Sequence, residues 1–200
     1  MFKNHFPRKK FGQHWLKDEN VLNKIITSSE LCSEDYVLEI GPGKGALTDK
    51  LLKTKIKGLH AIEIDRNLID GLRNRFKSHS NFSLQEGDVL NIKVETPNNE
   101  GINKVVANIP YNITGPILEK FIGKLGSEFT CSYKKLVFLM QKEVADRIIA
   151  KEGSKNFSAL SIKIQLIADL KKVCDVDSKS FSPAPKVRSS VLSFTPKNNI

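Results

Sequence analysis

The sequence has few of the residues that build disulfide frameworks and metal centres. It contains three cysteines and four histidines among 200 residues, and both types are dispersed along the chain. Cys32, Cys131 and Cys174 form no Cys-x-x-Cys pair, which argues against a zinc ribbon and favours free thiols in a reducing compartment. The scattered histidines likewise predict no metal site.

Long apolar runs are absent as well. No stretch approaches the roughly 20 residues that a membrane-spanning helix requires, and the basic N-terminus carries no apolar core of the kind found in secretory signals. We therefore expect a cytoplasmic protein. With 40% hydrophobic residues and no internal repeat, residues 1–200 are predicted to form one domain with a basic N-terminal extension.

What the chain has in excess is positive charge. Its formal net charge is +10, and a basic protein of this kind most often binds a polyanion, with nucleic acid as the leading candidate. The N-terminal segment mixes basic and aromatic residues: Lys3, Phe6, Arg8, Lys9, Lys10, Phe11, Trp15 and Lys17. One basic cluster alone is typical of a solvated face, but the number of clusters favours contacts to phosphates.

Short apolar runs alternate with amphipathic stretches, which is typical of an open α/β sheet. Seven strands are predicted, over residues 36–40, 59–64, 82–85, 104–107, 136–140, 173–176 and 190–194. Helices are predicted near residues 21–26, 47–52, 68–76, 113–125, 143–150 and 160–167, the first capped by Asp18. A proline-rich connection instead of a crossover helix joins the final two strands, which favours an antiparallel last strand.

A glycine-rich turn, Gly41-Pro42-Gly43-Lys44-Gly45, follows the first predicted strand and opens a helix. Its glycines allow a ligand to approach the backbone without a Cβ in the way. Glu63 ends the second strand 22 residues after Gly41, close to the roughly 20-residue spacing of an acid that binds ribose hydroxyls. Asp88 ends the third strand and can face an adenine amino group. The three strand ends predict a nucleoside site.

The same turn argues against a nucleotide with phosphates. Its glycine spacing differs from the Gly-x-Gly-x-x-Gly of pyrophosphate-binding turns. Gly43-Lys44 is followed by Gly45, which has no hydroxyl for a magnesium ion. The acidic neighbours Glu39, Glu63 and Asp88 tolerate a positively charged cofactor and would repel a dinucleotide. We therefore predict S-adenosylmethionine, a sulfonium without phosphates, as the cofactor and no metal.

Asn108-Ile109-Pro110-Tyr111 follows an apolar run that ends at Ala107. An exocyclic base amine is a weak nucleophile because its lone pair is delocalised into the ring. The Asn108 side-chain oxygen and the carbonyl before Pro110 can hold its N–H protons while Tyr111 stacks on the base. A strand end, a proline turn and a helix cap at Asn112 would explain the same residues without a function, but the nucleoside motifs favour catalysis.

Five motifs in this order resemble the ribosomal RNA adenine N6-dimethyltransferases, most closely the small-subunit (KsgA-type) branch. They are Phe11-Gly12-Gln13-His14-Trp15-Leu16, Glu39-Ile40-Gly41-Pro42-Gly43-Lys44-Gly45, Ala61-Ile62-Glu63-Ile64-Asp65, Asn108-Ile109-Pro110-Tyr111-Asn112 and Phe181-Ser182-Pro183-Ala184-Pro185-Lys186-Val187. The resemblance spans essentially the whole chain. It implies a Rossmann-like class I S-adenosylmethionine-dependent methyltransferase fold, with a seven-stranded, mostly parallel sheet. It also implies dimethylation of two adjacent adenosines near the 3′ end of small-subunit (16S) ribosomal RNA.

The resemblance assigns roles to individual residues. The predicted cofactor contacts, two of which come from the glycine turn, are His14, Leu16, Gly41, Gly43, Glu63, Asp88 and Asn108. Tyr111 and Phe181 would stack on the target base, and Asn108, Pro110 and Tyr111 would form the catalytic corner. Many relatives carry asparagine at the position of His14. The expected partner is an immature 30S-type particle, and we expect a monomer.

One departure and three alternatives accompany this assignment. The family normally continues into a small helical domain that helps hold RNA, and this chain, which stops at Ile200, is expected to lack it. A large-subunit (23S) adenine methyltransferase of the antibiotic-resistance type shares Asn-Ile-Pro-Tyr. A DNA adenine methyltransferase more often carries Asn/Asp-Pro-Pro-Tyr, and an RNA-binding ribosome-assembly factor would use catalysis only secondarily. The Gly-Pro-Gly turn and residues 181–187 favour the small-subunit branch.

Overall fold

The computed structural model describes residues 7–8, 12–94, 96–97, 101–123 and 131–197. Its strands are β1 (Trp15–Leu16), β2 (Tyr36–Ile40), β3 (Gly58–Glu63), β4 (Phe82–Glu86), β5 (Lys104–Asn108), β6 (Lys135–Gln141), β7 (Ala168–Val176), β8 (Phe181–Ser182) and β9 (Ser189–Pro196). Its helices are α1 (Glu19–Ser28), α2 (Ala46–Leu52), α3 (Arg66–Phe76), α4 (Thr114–Phe121), α5 (Lys142–Ile148) and α6 (Ala159–Ile167). Part of the predicted N-terminal basic cluster (Lys3, Phe6, Lys9, Lys10 and Phe11) and the predicted helix end at Leu125 lie outside the described residues.

Seven strands form one sheet in the order β4-β3-β2-β5-β6-β9-β7. The pairs from β4 through β6 are parallel, and β9 is antiparallel to both of its neighbours, β6 and β7. The predicted mostly parallel sheet with an antiparallel last strand is therefore confirmed. The strand order reverses between β2 and β5, and in open α/β sheets a ligand binds at the carboxyl ends of strands at such a switch point.

Hydrophobic layers on both faces of the sheet explain why its central strands are mostly apolar. All five residues of β2 are buried, as expected for a parallel strand that is covered on both sides. Leu38 and Ile40 pack into the layer that includes residues of α4, α5 and α6, whereas Val37 packs into the layer with α1, α2 and α3. The two-residue period of the strand thus divides its side chains between the two layers.

A side-chain cap sets the start of α1, whereas α4 starts without one. Asp18 caps α1 as predicted, since its carboxylate accepts from the backbone N–H groups of Asn20 and Val21 over 3.0 and 3.3 Å. The helix cap at Asn112, which belonged to the alternative explanation without a function, does not form. That residue lies inside a short 3₁₀ turn, Tyr111–Ile113, and α4 begins at Thr114. Pro110 precedes this turn with a φ of −57°, a value that the proline ring imposes.

Residues 12–17 form a segment that crosses the carboxyl edge of the sheet, here called the strap. Its strand β1 pairs antiparallel with β8, with Trp15 opposite Ser182 and Leu16 opposite Phe181. The backbone N–H of Lys17 donates to the carbonyl of Ser180 over 2.9 Å. This ribbon joins residues more than 160 positions apart in the chain, and the sequence analysis did not predict it. Within the described residues, every helix is too short or too polar to cross a membrane.

Candidate active site

Two adjoining cavities lie at the carboxyl ends of β2 and β5, beneath the strap. The larger has a volume of about 420 Å³ and its lining includes Leu16, Leu22, Glu39, Ala46 and Ser182. The smaller has about 60 Å³ and its lining includes Gln13, His14, Gly43, Glu63, Ile64, Pro110 and Tyr111. Trp15, Gly41 and Asn108 line both cavities. The structure therefore brings together eight of the ten predicted site residues: His14, Leu16, Gly41, Gly43, Glu63, Asn108, Pro110 and Tyr111.

The glycines of the turn have different surroundings. Gly41 and Gly43 have left-handed φ angles of +67° and +59°, which favour glycine. A Cβ on Gly43 would lie 2.7 Å from the Trp15 ring, so this glycine is needed for the strap to pass. A Cβ on Gly41 would meet no atom within 4 Å. Because Gly41 lines both cavities, that open space is available to a ligand.

Glu63 sits at the end of β3 with both carboxylate oxygens partly used. Oε2 accepts from the backbone N–H of Gly43 over 3.0 Å, and Oε1 accepts from that of Asp65 over 2.9 Å. Burial raises the pKa of Glu63, and these two hydrogen bonds act in the opposite direction. Each carboxylate oxygen has two acceptor sites, so the group keeps capacity for two ligand hydroxyls.

Glu39 was not among the predicted site residues, yet it lines the larger cavity. Burial raises the pKa of its carboxyl group to about 8, and the neighbouring charge of Glu63 acts in the same direction. Among the described residues, the buried atom Oε2 of Glu39 has no hydrogen-bond partner. A buried carboxyl of this kind is suited to a cationic ligand group. Its signal in the sequence was a charged residue inside an otherwise buried strand.

Asn108 ends β5, and its side chain contacts the strap directly. Its Nδ2 donates to the main-chain carbonyl of His14 over 2.9 Å. A carbonyl oxygen only accepts, so the amide must turn its nitrogen towards the strap. The oxygen Oδ1 is thereby left as the atom that can accept from a ligand at the junction of the two cavities.

Tyr111 forms one wall of the smaller cavity and is fixed at both its ring and its hydroxyl. The His14 ring is stacked on it with centroids 5.7 Å apart and planes 21° apart. The Tyr111 hydroxyl shares a hydrogen bond of 2.6 Å with the hydroxyl of Ser189. Burial raises the pKa of Tyr111, opposed by this hydrogen bond. His14 in turn donates from Nδ1 to the carbonyl of Pro183 over 2.9 Å.

A second attachment holds the strap at its other end. Gln13 Nε2 donates to Asp65 Oδ2 over 2.9 Å, and Asp65 Oδ1 accepts from the backbone N–H of Asn67 at the start of α3 over 3.1 Å. Arg8 lies 3.6 Å from the same carboxylate. Asp65 therefore ties the strap to helix α3, which follows Glu63.

Two predicted site residues line neither cavity as the described residues form them. Asp88 bonds within its own turn, because Oδ1 accepts from the Leu90 N–H over 3.0 Å and Oδ2 from Asn91 Nδ2 over 2.7 Å. Phe181 is 2% exposed and belongs to the hydrophobic core on the side of α1 to α3. A stacking role for Phe181 would require the ribbon to move, and the roles of both residues stay predictions.

Potential metal ligands do not gather at this site. Within the part of the chain that the structure describes, no group of three or more His, Cys, Asp and Glu residues is arranged to hold a metal ion. Cys32, Cys131 and Cys174 are free thiols.

Comparison with known proteins agrees with this geometry. Residues 4–200 match the family Ribosomal RNA adenine dimethylase. The chain is 55% identical to a Ribosomal RNA small subunit methyltransferase A of Prochlorococcus marinus, over 98% of this chain and 70% of that protein.

Solved structures give the same result. A dimethyladenosine transferase from Plasmodium falciparum superimposes with a TM-score of 0.82 at 36% identity, covering 92% of this chain and 64% of that one. The 23S rRNA methyltransferase ErmE superimposes with a TM-score of 0.77 at 27% identity, covering 92% and 70%. The chain thus spans about two thirds of the length of these relatives. The resemblance seen in the five motifs is confirmed, and the chain belongs to the ribosomal RNA adenine dimethylase family.

Proposed function

We propose that this chain transfers methyl groups from S-adenosylmethionine to N6 of two adjacent adenosines near the 3′ end of small-subunit (16S) ribosomal RNA, during small-subunit biogenesis. The observation that carries the proposal is the orientation of Asn108. Its amide nitrogen is held by the strap at 2.9 Å, so its oxygen can accept from a base amine at the junction of the cavities. The 55% identity to a small subunit methyltransferase supports the choice of RNA.

The residues around the larger cavity fit the cofactor. S-Adenosylmethionine supplies, when bound, a methyl group on a positively charged sulfur. Open space above Gly41 lets the ligand approach the backbone. Glu63, in the wall of the adjoining smaller cavity, has acceptor capacity for the two ribose hydroxyls. The buried oxygen of Glu39 without a partner suits the ammonium group of the amino-acid tail. Among the described residues lining this cavity, Leu16 and Leu22 supply apolar surface.

The smaller cavity fits the reacting edge of an adenine. An extruded base would present its N6 protons to the Oδ1 of Asn108 and to the carbonyl of Ile109, which precedes Pro110. Two acceptors make the nitrogen more tetrahedral and free its lone pair for attack. Catalysis then rests on orientation and hydrogen bonding, without a side-chain nucleophile. After the first transfer one N–H remains, so the monomethylated amine must rotate before the second.

Tyr111 is the aromatic platform for this base. Its ring lines the smaller cavity next to Asn108, and the bond of its hydroxyl to Ser189 fixes the ring plane. A rigid ring loses little conformational entropy when a base stacks on it, and such stacking contributes about 1–3 kcal/mol per base. Pro110 restricts the backbone between this ring and Asn108 because its φ is fixed.

A large-subunit RNA substrate is the second candidate, because ErmE also superimposes well. Its identity to this chain is 27%, against 55% for the small subunit methyltransferase, so the small subunit is favoured. The net charge of +10 supports an RNA partner of either kind. We further predict that the chain acts as a monomer in the cytoplasm, on an immature 30S-type particle.

A methyl-transfer assay with a radiolabelled donor separates these possibilities. The substrates are immature small subunits, large-subunit RNA and duplex DNA, each with the unchanged chain and with Asn108→Ala. We expect label only in the small-subunit RNA, recovered as dimethyladenosine, and almost none with the variant. Label in large-subunit RNA or DNA at an equal or higher rate would contradict the proposed substrate.

A further inference from the structure

Lys120, on α4, gathers three main-chain carbonyl groups from another part of the chain. Its Nζ donates to the carbonyls of Val89, Leu90 and Ile92 over 2.5, 3.2 and 3.1 Å. The side chain is only partly exposed. An ammonium group has three donors and no acceptor, so this one can use its full donor capacity on a single turn.

The turn that Lys120 holds is the one that begins at Asp88. Inside it, the N–H groups of Asn91 and Ile92 donate to the Asp88 carbonyl over 2.9 and 3.0 Å, and the Asp88 carboxylate accepts from Leu90 and Asn91. The carbonyls of Val89, Leu90 and Ile92 therefore converge on one point. Charge-assisted hydrogen bonds to a single cation stabilise that arrangement, and without the cation the three dipoles repel one another.

The same helix starts at the catalytic corner. α4 begins at Thr114, three residues after Tyr111, and Lys120 lies about 9 Å further along the helix axis at 1.5 Å per residue. On the other side, the N–H of Gly87 donates to the Glu63 carbonyl over 2.9 Å, which sets the Asp88 turn beside Glu63. Lys120 thus connects the base-binding corner to the rim next to the cofactor cavity.

We propose that Lys120 is a positioning residue that holds Asp88 in place for the adenine of the cofactor. This inference rests on the proposed function, because it takes S-adenosylmethionine as the ligand and Asp88 as its adenine contact. Lys120 acts through Asp88 and does not touch the ligand itself. Lys120 lies outside the five motifs that carry the family resemblance.

A matched lysine separates this role from plain stabilisation. Lys104 is buried and also donates to a main-chain carbonyl, that of Glu30, with the Asp35 carboxylate 2.8 Å away. It begins β5 and therefore lies at the opposite, amino edge of the sheet. Lys104→Met removes the same charge and a comparable set of bonds without touching the Asp88 turn.

The measurements are the Kd of S-adenosylhomocysteine by calorimetry, the KM for small-subunit RNA and the Tm. Lys120→Met should weaken S-adenosylhomocysteine binding by about tenfold, the equivalent of one lost charge-assisted hydrogen bond, with the KM for RNA nearly unchanged. Lys120→Arg should restore most of the affinity, because a guanidinium can donate to the same carbonyls. Lys104→Met should lower the Tm and leave the Kd within about twofold.

A double-mutant cycle tests whether Lys120 acts through Asp88. Once Asp88→Ala has removed the contact, adding Lys120→Met should weaken binding little further, since coupled residues are not additive. Additive losses, or an unchanged Kd in Lys120→Met, would overturn the inference. If Lys120→Met does not fold, Lys120→Gln replaces it in the same cycle. Failure of the unchanged chain to bind S-adenosylhomocysteine would instead contradict the proposed function.

Discussion

The side-chain nitrogen of Asn108 and the main-chain oxygen of His14 lie 2.9 Å apart, although the two residues are 94 positions apart in the chain. This contact sets which end of the amide faces the ligand. The strap that supplies it is held by the ribbon of β1 with β8 and by Gln13 on Asp65. The strap therefore orients the Asn108 amide as well as covering the cavities, and a chain without it would leave the amide free to turn.

Replacement of Asn108 by alanine removes the acceptor without disturbing the core. Asn108 is the last residue of its strand and is only partly buried, so we expect a small change in Tm. Turnover on small-subunit RNA should fall by about 10²–10³-fold, the usual loss when one preorganised hydrogen-bonding group is removed. Asn74→Ala, an exposed substitution on α3, is the control and should leave turnover unchanged.

Asn108→Asp sharpens the same test. A carboxylate cannot donate to the His14 carbonyl, so the group loses the bond that orients it. We expect turnover nearly as low as in Asn108→Ala, measured under saturating cofactor. Near-normal methylation with either variant would remove Asn108 from the catalytic corner.

The two glycines of the turn should respond differently to alanine. Both have left-handed φ angles, so each substitution should cost about 1–2 kcal/mol of stability from backbone strain. In Gly43→Ala the new Cβ also lies 2.7 Å from the Trp15 ring, and the loss in stability should be larger. In Gly41→Ala it points into open space, so the main effect should be weaker cofactor binding.

Gly153→Ala is the control for strain alone, because its φ is +79° and a Cβ there meets no atom within 4 Å. Chemical denaturation and the Kd of S-adenosylhomocysteine are measured for all three variants. We expect Gly41→Ala to match Gly153→Ala in stability and to differ from it in affinity. Equal affinity in these two variants would argue that the ligand does not lie over Gly41.

The raised pKa of Glu39 predicts how stability depends on pH. Its carboxyl group titrates near 4.5 when unperturbed, and burial raises this pKa to about 8 in the folded protein. Between these values the unfolded chain loses the proton while the folded protein keeps it, so the folded state is progressively disfavoured as pH rises. Glu39→Gln removes this titration. The stability of the variant relative to the unchanged chain should therefore increase from pH 5 to pH 8.

Thermal unfolding at pH 5, 6.5 and 8 measures this difference, with the other carboxyl groups common to both proteins. The Tm of the unchanged chain should fall relative to that of Glu39→Gln as pH rises. Parallel curves would mean that Glu39 ionises normally in the folded protein.

Binding of a cationic ligand should lower the pKa of Glu39, so the calorimetric heat of binding should depend on the buffer only when Glu39 is present.

Most of the sheet could be predicted because its strands are buried on both faces. Tyr36–Ile40 was predicted to the residue, since a mostly apolar run of strand length that is followed by glycine is typical of a buried strand. The edge strand Ala168–Val176 was predicted five residues short. It carries polar residues such as Asp169, Lys171 and Lys172, and an edge strand that is partly exposed gives a weaker hydrophobic signal.

The site residues could be predicted where a motif has its own chemistry. The residues that orient them through long-range contacts could not. The sequence predicted that Gly41, Glu63 and Asn108 lie at one edge of the sheet, because the carboxyl ends of parallel strands meet there. The partners of Asn108 and Tyr111, which are the carbonyl of His14 and the hydroxyl of Ser189, come from segments with no shared periodicity. Such contacts depend on how the ribbon folds back over the sheet, which no local pattern encodes.

Phe181 either stacks on the target base or packs only in the hydrophobic core, and a conservative substitution distinguishes these two roles. The side chain is 2% exposed and lies opposite Leu16 in the ribbon. Phe181→Leu keeps most of the volume and removes the ring. From its position we expect a lower Tm, by a loss of about 1 kcal/mol, and a KM for RNA within about twofold of normal.

The opposite result has an equally clear meaning. A KM for RNA raised about tenfold or more, at an unchanged Tm, would correspond to one lost base–aromatic stack. It would put the Phe181 ring on the target base, as the resemblance implies. Because the ring is buried under the strap, that outcome would also require the ribbon of β1 and β8 to open when RNA binds. Hydrogen exchange at Leu16 should then become faster in the presence of RNA.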